Sequence, residues 1–311
     1  MADDQTQSSL SGASLLAPFN GEPPPAPAWF TAAVADEPER SRILVEGAEI
    51  ELLTWGEVGK PGLLFLHGNG AHADWWRFIA PFFAKDWRVA AISWSGMGGS
   101  DWREAYSAEL FATEIFAAVE AAGLEAGGVK PIVIGHSFGG FPTLYCAARH
   151  PERLRGAILA DTSIQPPHKR WKGPPPRSGQ GNRVYATMEE ALNRFRLAPP
   201  QPCENLYIVD DIARRSLKEV EGGWTWKFDP DLWHNFRMPD LGEMLPQIAC
   251  PAAMMWGERS GLMGPETLNY MLEQMPKDVL LLPLPDADHH VMIDQPLAFV
   301  AGLRGLLANW P

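Results

Sequence analysis

Cysteine, positive charge and long apolar runs are all scarce in this chain of 311 residues. Its three cysteines are far apart and form no CxxC pair, which argues against a disulfide framework and against a cysteine-built zinc site. No apolar run approaches the ~18 residues of a membrane helix, and the start, Met1–Gln5, lacks the basic and apolar segments of a secretory signal. We therefore expect a cytoplasmic protein in a reducing compartment that does not bind a membrane.

The charge balance is acidic, with 26 Lys and Arg against 38 Asp and Glu, which gives a net charge of −12. A field of this sign repels nucleic acid and anionic lipid, so neither is expected as a partner. Tryptophan is in excess, at 13 residues, against roughly four from average usage. Part of this excess is expected to line an aromatic cavity, although Trp also packs cores. The sequence does not decide between a monomer and a homodimer.

Short, continuous apolar runs alternate with helical patterns over most of the chain. Strands covered on both faces have this pattern, and the strict strand–helix order predicts an α/β fold with a mostly parallel central sheet and helices on both faces. The four clearest runs are Gly62–Leu66, Arg88–Ser93, Pro131–Gly135 and Gly156–Asp161. The rhythm is interrupted once, late in the chain. We therefore predict a flexible N-terminal arm (1–40), a core (41–165 and 246–311) and an inserted helical cap (166–245).

A GxSxG motif occupies Gly135–Gly139 and places Ser137 between a buried strand and the start of a helix. This context is typical of a nucleophile elbow, where a sharp turn lifts the serine hydroxyl out of the sheet edge. The flanking glycines remove side chains where the helix folds back on the strand. Ser137 is therefore the predicted nucleophile, and the alternative is an inert serine in a Gly-rich turn.

A serine that attacks a carbonyl needs two N–H groups directed at the oxyanion that forms. One is the backbone N–H of Phe138, at the start of the helix after Ser137. The other is expected from the loop His67–Gly70, which follows a central strand and places the N–H of Asn69 at the same edge. The alternative is an ordinary Gly turn in which His67 is a buried hydrogen-bonding residue.

The strand followed by HGN (67–69), the elbow GHSFGG (135–140) and a late histidine before DQP (294–296) resemble motifs of the α/β-hydrolase family. The resemblance covers about 45–165 and 246–311, and the insertion lies where that family carries a helical cap. Members often have Gly-His-x-x-x-x-Glu-x-Pro in the late loop. This pattern selects His289 over His290 as the base, with Asp288 in place of the Gly. His290 is then expected to pack behind it.

The acid of the triad departs from the family pattern. The family usually places an Asp after the seventh strand, where this chain has Ser260. Haloalkane dehalogenases and some other relatives take the acid from the end of the strand after the elbow helix, and Asp161 lies there. We therefore choose Asp161 over Glu258 to orient His289 and stabilise its charged form. The alternative role of Asp161 is to cap a turn.

The resemblance implies a serine hydrolase that cleaves a carboxylic ester or lactone of a bulky, apolar or aromatic small molecule, without a cofactor. Four tryptophans are expected to contact the substrate, namely Trp75, Trp76, Trp224 and Trp226. The family also contains carbon–carbon bond hydrolases and cofactor-free dioxygenases, which stay open as alternatives, and a non-enzymatic ligand receptor is a third. An Asp nucleophile is absent from the elbow, which disfavours haloalkane dehalogenase and epoxide hydrolase activity. No metal is expected, because the acidic and histidine residues at 286–290 crowd a single loop without a distant fourth ligand.

Overall fold

The computed structural model describes residues 14–170 and 181–310. The strands there are β1 (Glu39–Val45), β2 (Ala48–Trp55), β3 (Gly62–Leu66), β4 (Arg88–Ile92), β5 (Tyr106–Ser107), β6 (Ile132–His136), β7 (Gly156–Ala160), β8 (Leu217–Val220), β9 (Gly223–Trp226), β10 (Phe236–Arg237), β11 (Ala252–Gly257) and β12 (Leu280–Leu284). The α-helices are α1 (Ala28–Ala35), α2 (Pro81–Ala84), α3 (Ala108–Ala121), α4 (Gly140–Arg149), α5 (Met188–Leu192), α6 (Leu206–Arg215), α7 (Leu232–Asn235), α8 (Leu241–Met244), α9 (Pro265–Gln274), α10 (Val291–Asp294) and α11 (Pro296–Ala308). Apart from the two-residue strand β5, strands and helices therefore alternate from β3 to β7, as the sequence predicts.

Eight strands form one sheet in the order β1-β2-β4-β3-β6-β7-β11-β12. Two pairs, β1 with β2 and β2 with β4, are antiparallel, and all other neighbours are parallel. Every residue of β3, β4, β6 and β7 is buried, which explains their continuous apolar sequences. The predicted α/β fold with a mostly parallel central sheet is confirmed. Because parallel strands share one carboxyl edge, the ends of β3, β6 and β7 meet there.

Two apolar cores lie on opposite faces of this sheet. In β3, Leu63 and Phe65 belong to one core and Leu64 and Leu66 to the other, which is the two-residue period of a strand. Helices α6, α10 and α11 contribute to the first core, and α3, α4 and α9 to the second. Helices on both faces are therefore confirmed. Within the described residues, no helix combines the length and apolarity that crossing a bilayer needs, and the longest, α3, has 14 residues.

The N-terminal segment differs from the flexible arm that the sequence predicts for 1–40. Residues 1–13 lie outside the described residues, but 14–40 contain α1 and the start of β1. Leu16 and Phe30 are buried in the first core, and the hydroxyl of Ser14 donates to the backbone oxygens of Leu192 (2.9 Å) and Phe195 (3.1 Å). Apolar side chains within a polar, Pro-rich sequence thus tie this segment to the insertion.

The insertion, residues 166–245, lies between β7 and β11 and is described except for 171–180. It contains the helices α5 to α8 and also the antiparallel hairpin β8–β9, which the prediction of a helical cap did not include. The hairpin turn is two residues long and places Gly222 at a φ of 86°, a conformation that glycine adopts without strain. The insertion is fastened to the core through backbone hydrogen bonds of 2.7 Å from Gly98 N–H to Lys227 O and from Asp229 N–H to Gly96 O.

Candidate active site

Ser137 follows β6 directly and has a φ of 52°, in the left-handed region that non-glycine residues rarely adopt. The tight turn around it depends on its glycines. A Cβ added at Gly135 would lie 2.4 Å from Gly139 O, and one added at Gly139 would lie 2.6 Å from Leu66 O. Strained serine geometry and close glycine packing are features of a nucleophile elbow. The hydroxyl is therefore presented at the carboxyl edge of the sheet.

His289 and Asp161 form a hydrogen-bonded chain with this serine. The Nε2 atom of His289 lies 2.9 Å from Ser137 Oγ, and its Nδ1 atom lies 2.7 Å from Asp161 Oδ1. A carboxylate accepts hydrogen bonds and does not donate them, so Nδ1 carries the proton and Nε2 is left to accept the serine O–H. Asp161 is fully buried, at the end of β7, and also has a left-handed φ of 45°. The ends of β6 and β7 and the loop after β12 thus bring Ser137, Asp161 and His289 together.

Glu258, the alternative acid, is exposed, and its side chain makes no hydrogen bond or ion pair with any residue of 14–170 or 181–310. Asp161, by contrast, accepts three hydrogen bonds. Besides His289, the hydroxyl of Ser260 donates to Oδ1 at 2.7 Å and the N–H of Gly257 donates to Oδ2 at 2.8 Å. These donors occupy both carboxylate oxygens of Asp161. The structure therefore brings Asp161, and not Glu258, to the histidine.

The His67–Gly70 loop lies against the elbow, since a Cβ added at Gly68 would be 3.3 Å from Ser137 Cβ. His67 holds this loop in place. Its Nε2 accepts from Trp94 N–H at 3.1 Å and its Nδ1 donates to Gly68 O at 2.7 Å, while burial lowers its pKa to about 3. No described residue accepts a hydrogen bond from Asn69 N–H. Phe138 is the second residue of the 3-10 turn Ser137–Gly139, and backbone N–H groups at the start of such a turn have no acceptor within it.

A cavity of about 320 Å³ opens beside this loop, between the core and the insertion. Its walls are mainly aromatic and aliphatic, with two arginines and one carboxylate. The residues that line it are Asn69, Gly70, Trp75, Met97, Arg194, Phe195, Arg196, Ala198, Ser216, Trp226, Phe228, Asp229, Pro230, Leu232 and Trp233. A largely apolar cavity with a few polar groups is typical of small-molecule sites.

Two of the four predicted substrate tryptophans line this cavity, Trp75 and Trp226. Trp76 does not, because it is fully buried in the first core, with its ring 4.9 Å from that of Phe65. Trp224 is also absent from the lining, although it packs against the first core as Trp226 does. Sequence reasoning missed Met97, Phe195 and both arginines, because nothing in the sequence shows how the insertion docks.

The family model for the alpha/beta hydrolase family matches residues 63–303. The chain belongs to this family. Among curated proteins, the hydrolase is 22% identical to the esterase Rv0045c of Mycobacterium tuberculosis over 272 residues, 85% of this chain and 88% of the relative. It is 24% identical to the pimeloyl-[acyl-carrier protein] methyl ester esterase of Chromobacterium violaceum, over 78% of this chain and 92% of that protein. Among solved structures, a thioesterase domain from the curacin biosynthetic pathway has a TM-score of 0.70 at 23% identity, over 86% of this chain and 99% of that domain. These similarities establish a hydrolase with esterases among its relatives.

The loop that carries His289 is held by Gln201, a residue of the insertion that the sequence did not indicate. Its Oε1 accepts from His290 N–H at 2.9 Å, and its amide nitrogen lies 2.8 Å from both oxygens of Asp294. Asp294 Oδ2 also accepts from Asp288 N–H at 2.7 Å, and burial raises the pKa of this carboxyl to about 6. The backbone on both sides of His289 is thus fixed in the hydrolase by one buried polar chain.

His136, His289 and His290 form a buried cluster with ligand atoms within 4.8 Å of one another. The ring nitrogens of His289 are both engaged, Nε2 with Ser137 and Nδ1 with Asp161. The Nε2 atom of His136 contacts His289 O at 3.1 Å. Burial lowers the pKa of His136 and of His290 well below the usual value, so both are neutral. Only two histidines then have uncommitted nitrogens, fewer than the three protein ligands of a catalytic zinc site. His290 packs against His289, with the two ring centroids 4.8 Å apart.

Proposed function

We propose that this hydrolase cleaves a carboxylic ester or lactone of a small, largely apolar molecule through an acyl-enzyme on Ser137. The hydrogen-bonded chain from Ser137 through His289 to Asp161 carries this proposal. A serine hydroxyl is a weak nucleophile until a base takes its proton, and an imidazole Nε2 at 2.9 Å is within reach of that proton. The esterases among the relatives support the same reaction class.

In the proposed first step, Ser137 Oγ attacks the carbonyl carbon while its proton passes to His289 Nε2. The carbonyl π electrons move onto oxygen, and the N–H groups of Asn69 and Phe138 donate to that oxyanion. Asp161 keeps the Nδ1 proton in place and stabilises the imidazolium. The oxyanion then collapses, the bond to the alkoxy group breaks, and His289 Nε2–H protonates the departing alcohol.

In the second step, water replaces the alcohol. His289 removes one proton from the water, the hydroxide oxygen bonds to the acyl carbon, and collapse of the second oxyanion releases the acid and returns the proton to Ser137. The N–H groups of Asn69 and Phe138 serve both steps. The insertion acts as a cap in this proposal, because it supplies most of the cavity wall and excludes water from the acyl group.

The proposal is tested by labelling with a fluorophosphonate and by turnover of p-nitrophenyl esters. The wild type should be labelled at one site and should hydrolyse the esters. Ser137→Ala should abolish labelling and lower kcat by about 10⁴-fold or more. Ser41→Ala, at an exposed serine of β1, is the matched control and should change neither.

Two outcomes would contradict the proposal. Labelling that persists in Ser137→Ala would place the nucleophile elsewhere. An enzyme that is labelled but hydrolyses only a carbon–carbon bond of a diketone, or that consumes oxygen with a heteroaromatic substrate, would use the same residues for another reaction.

A further inference from the structure

The backbone N–H groups on both sides of His289 are bound by two side chains that contact each other, Gln201 and Asp294. The N–H of His290 donates to Gln201 Oε1 at 2.9 Å. The N–H of Asp288 donates to Asp294 Oδ2 at 2.7 Å. The Nε2 atom of Gln201 lies 2.8 Å from both oxygens of Asp294 and so links the two halves. The main chain of the proposed base is therefore held through a side chain of the insertion.

Position 201 needs a side chain that accepts and donates hydrogen bonds at the same time. Gln201 is buried, with 5% of its surface exposed, so bulk water does not replace its partners. An amide offers an acceptor oxygen and a donor nitrogen, whereas a carboxylate only accepts and an apolar side chain does neither. Removal of this amide leaves the N–H of His290 and Asp294 Oδ1 without it, and a buried polar group without a partner destabilises the segment that carries it.

A second amide of the insertion, that of Asn205, holds the far end of the same loop. Its Nδ2 donates to the backbone oxygens of Ile293 (2.8 Å) and Asp294 (3.0 Å). These oxygens belong to the last residues of α10, where a helix has no donors of its own. The insertion therefore binds the loop of the base at two points, one through Gln201 and one through Asn205.

The same stretch of the insertion also forms part of the cavity wall. Phe195 and Ala198 line the cavity and precede Gln201 closely in the chain. The cavity and the loop that carries His289 are therefore both contacted by one continuous segment. In its docked position, the insertion thus supplies the cavity wall and the hydrogen bonds of the base loop together.

Catalysis by Ser137 depends on two short contacts of the His289 ring. Its Nε2 lies 2.9 Å from Ser137 Oγ, and its Nδ1 lies 2.7 Å from Asp161 Oδ1. A shift of the loop by about 1 Å lengthens at least one of these contacts beyond a hydrogen bond, and a misplacement of this size costs about 10²-fold in rate. The bonds that fix the backbone of 288–290 therefore act on the rate of the chemical step.

We infer that Gln201 is a positioning residue for the proposed reaction, because its amide holds the loop of His289 at the distance that Ser137 requires. Gln201 acts through the main chain of 288–290 and not on the reacting atoms. The insertion is then needed for proton transfer as well as for covering the site, since undocking would take the amide away from the loop. This inference rests on the proposed esterase function.

The first test replaces Gln201 by alanine and follows the hydrolysis of p-nitrophenyl esters. Gln201→Ala should lower kcat by about 10²-fold and leave KM within about threefold, because placement of the base matters in the transition state and not in substrate binding. Fluorophosphonate should still label Ser137, at a rate that falls by a similar factor. The matched control, Ser14→Ala, removes buried hydrogen bonds to the insertion at Leu192 and Phe195 and should keep kcat within about twofold.

The second test exchanges the amide and the carboxylate, which keeps both shapes and separates hydrogen bonding from packing. In Gln201→Glu at pH 8, two carboxylates face each other without a donor between them, and kcat should fall by about 10²-fold. In Gln201→Glu/Asp294→Asn, residue 201 accepts from the N–H of His290 and from the new amide, whose oxygen accepts from the N–H of Asp288. This double variant should recover kcat to within about tenfold of the wild type.

The outcomes separate this inference from the proposed function. A kcat of Gln201→Ala within about threefold of the wild type would overturn the role of Gln201 and leave the esterase standing. Equal kcat values for Gln201→Glu and the exchanged double variant would do the same, because the hydrogen bonds would then not govern the rate. Absence of both turnover and fluorophosphonate labelling in the wild type would instead overturn the proposed function itself.

Discussion

Ser260 and Asp161 are joined by a hydrogen bond of 2.7 Å, although 99 residues separate them in the chain. They follow neighbouring strands, β11 and β7, which pair in parallel. Ser260 stands where related hydrolases usually have the acid, and here its hydroxyl donates to the Asp161 oxygen that also accepts from His289. The residue after β11 thus supports, by a hydrogen bond, the carboxylate at the end of the neighbouring strand β7.

This arrangement predicts the effect of removing the acid. Asp161→Asn should lower kcat for an activated ester by about 10⁴-fold, because an amide favours the wrong tautomer of His289 and cannot stabilise its charge. Glu258→Gln is the matched control at an exposed carboxylate and should stay within about twofold of the wild type. Steady-state kinetics of the two variants side by side decides the matter. A large loss in Glu258→Gln alone would contradict the assignment.

A carboxylate at position 260 should also be able to replace that of Asp161. In Asp161→Asn/Ser260→Asp, a carboxylate returns to the end of β11, close to where the Ser260 hydroxyl now meets the Asp161 side chain. We expect this double variant to recover about 10²-fold in kcat over Asp161→Asn. Asp161→Asn/Ser260→Asn has the same shape without the charge and should recover nothing. Equal rates in the two double variants would show that charge at this position does not reach His289.

The Asp294 carboxyl should make stability depend on pH. Its pKa is raised from 3.8 to about 6 by burial, so the folded protein holds this proton more tightly than the unfolded chain does. Its contribution to the free energy of unfolding is therefore present at pH 4 and declines as the pH rises to about 6. Asp294→Asn lacks this decline, so its stability relative to the wild type should improve by about 1 kcal/mol from pH 4 to pH 7, after allowance for partial exposure.

Urea unfolding at the two pH values measures this difference. Asp278→Asn, at an exposed carboxylate, provides the control and should show no such change. If the free energy of unfolding of Asp294→Asn changes from pH 4 to pH 7 as much as that of the wild type, the carboxyl does not titrate as its burial implies.

The elbow helix should not tolerate a side chain at Gly140. A Cβ there would lie 1.9 Å from Oγ1 of Thr162, which is fully buried. We expect Gly140→Ala to destabilise the protein by about 2 kcal/mol or more, since a packed core does not yield to an inserted methyl group. Gly305→Ala has open space around its Cβ in α11 and should stabilise by about 0.5–1 kcal/mol. Chemical denaturation measures the stability of both variants. If neither variant loses stability, the close approach between position 140 and Thr162 is contradicted.

The sheet was accessible to sequence reasoning because its information is local. Buried parallel strands such as β3 and β6 have unbroken apolar sequences. The two glycines of the GxSxG motif indicate the tight turn around the serine. Ser137 and His289 could therefore be proposed from spacing and resemblance, and the structure brings them to 2.9 Å. The choice of Asp161 over Glu258 needed the resemblance, since both follow strands that end at the same edge.

The cavity was less accessible because it forms between segments distant in sequence. Trp75 and Trp76 are adjacent and chemically identical, yet one lines the cavity and the other packs in the core. The two residues are consecutive in one 3-10 turn, so their side chains point in different directions. Gln201 likewise gave no local signal, because its contacts with the His289 loop depend on how the insertion docks. Burial of Leu16 and Phe30 also depends on partners far along the chain.

The insertion meets the Gly96–Gly98 loop through main-chain atoms, with Lys227 and Asp229 as the partners. Main-chain bonds do not depend on residue type, so this attachment survives changes in the side chains that it carries. Phe228, between the two bonds, faces the cavity. Backbone atoms thus attach the insertion to the core, whereas side chains of the same segment line the cavity. A single substitution at 228 can therefore change the substrate preference without weakening the attachment of the insertion to the core.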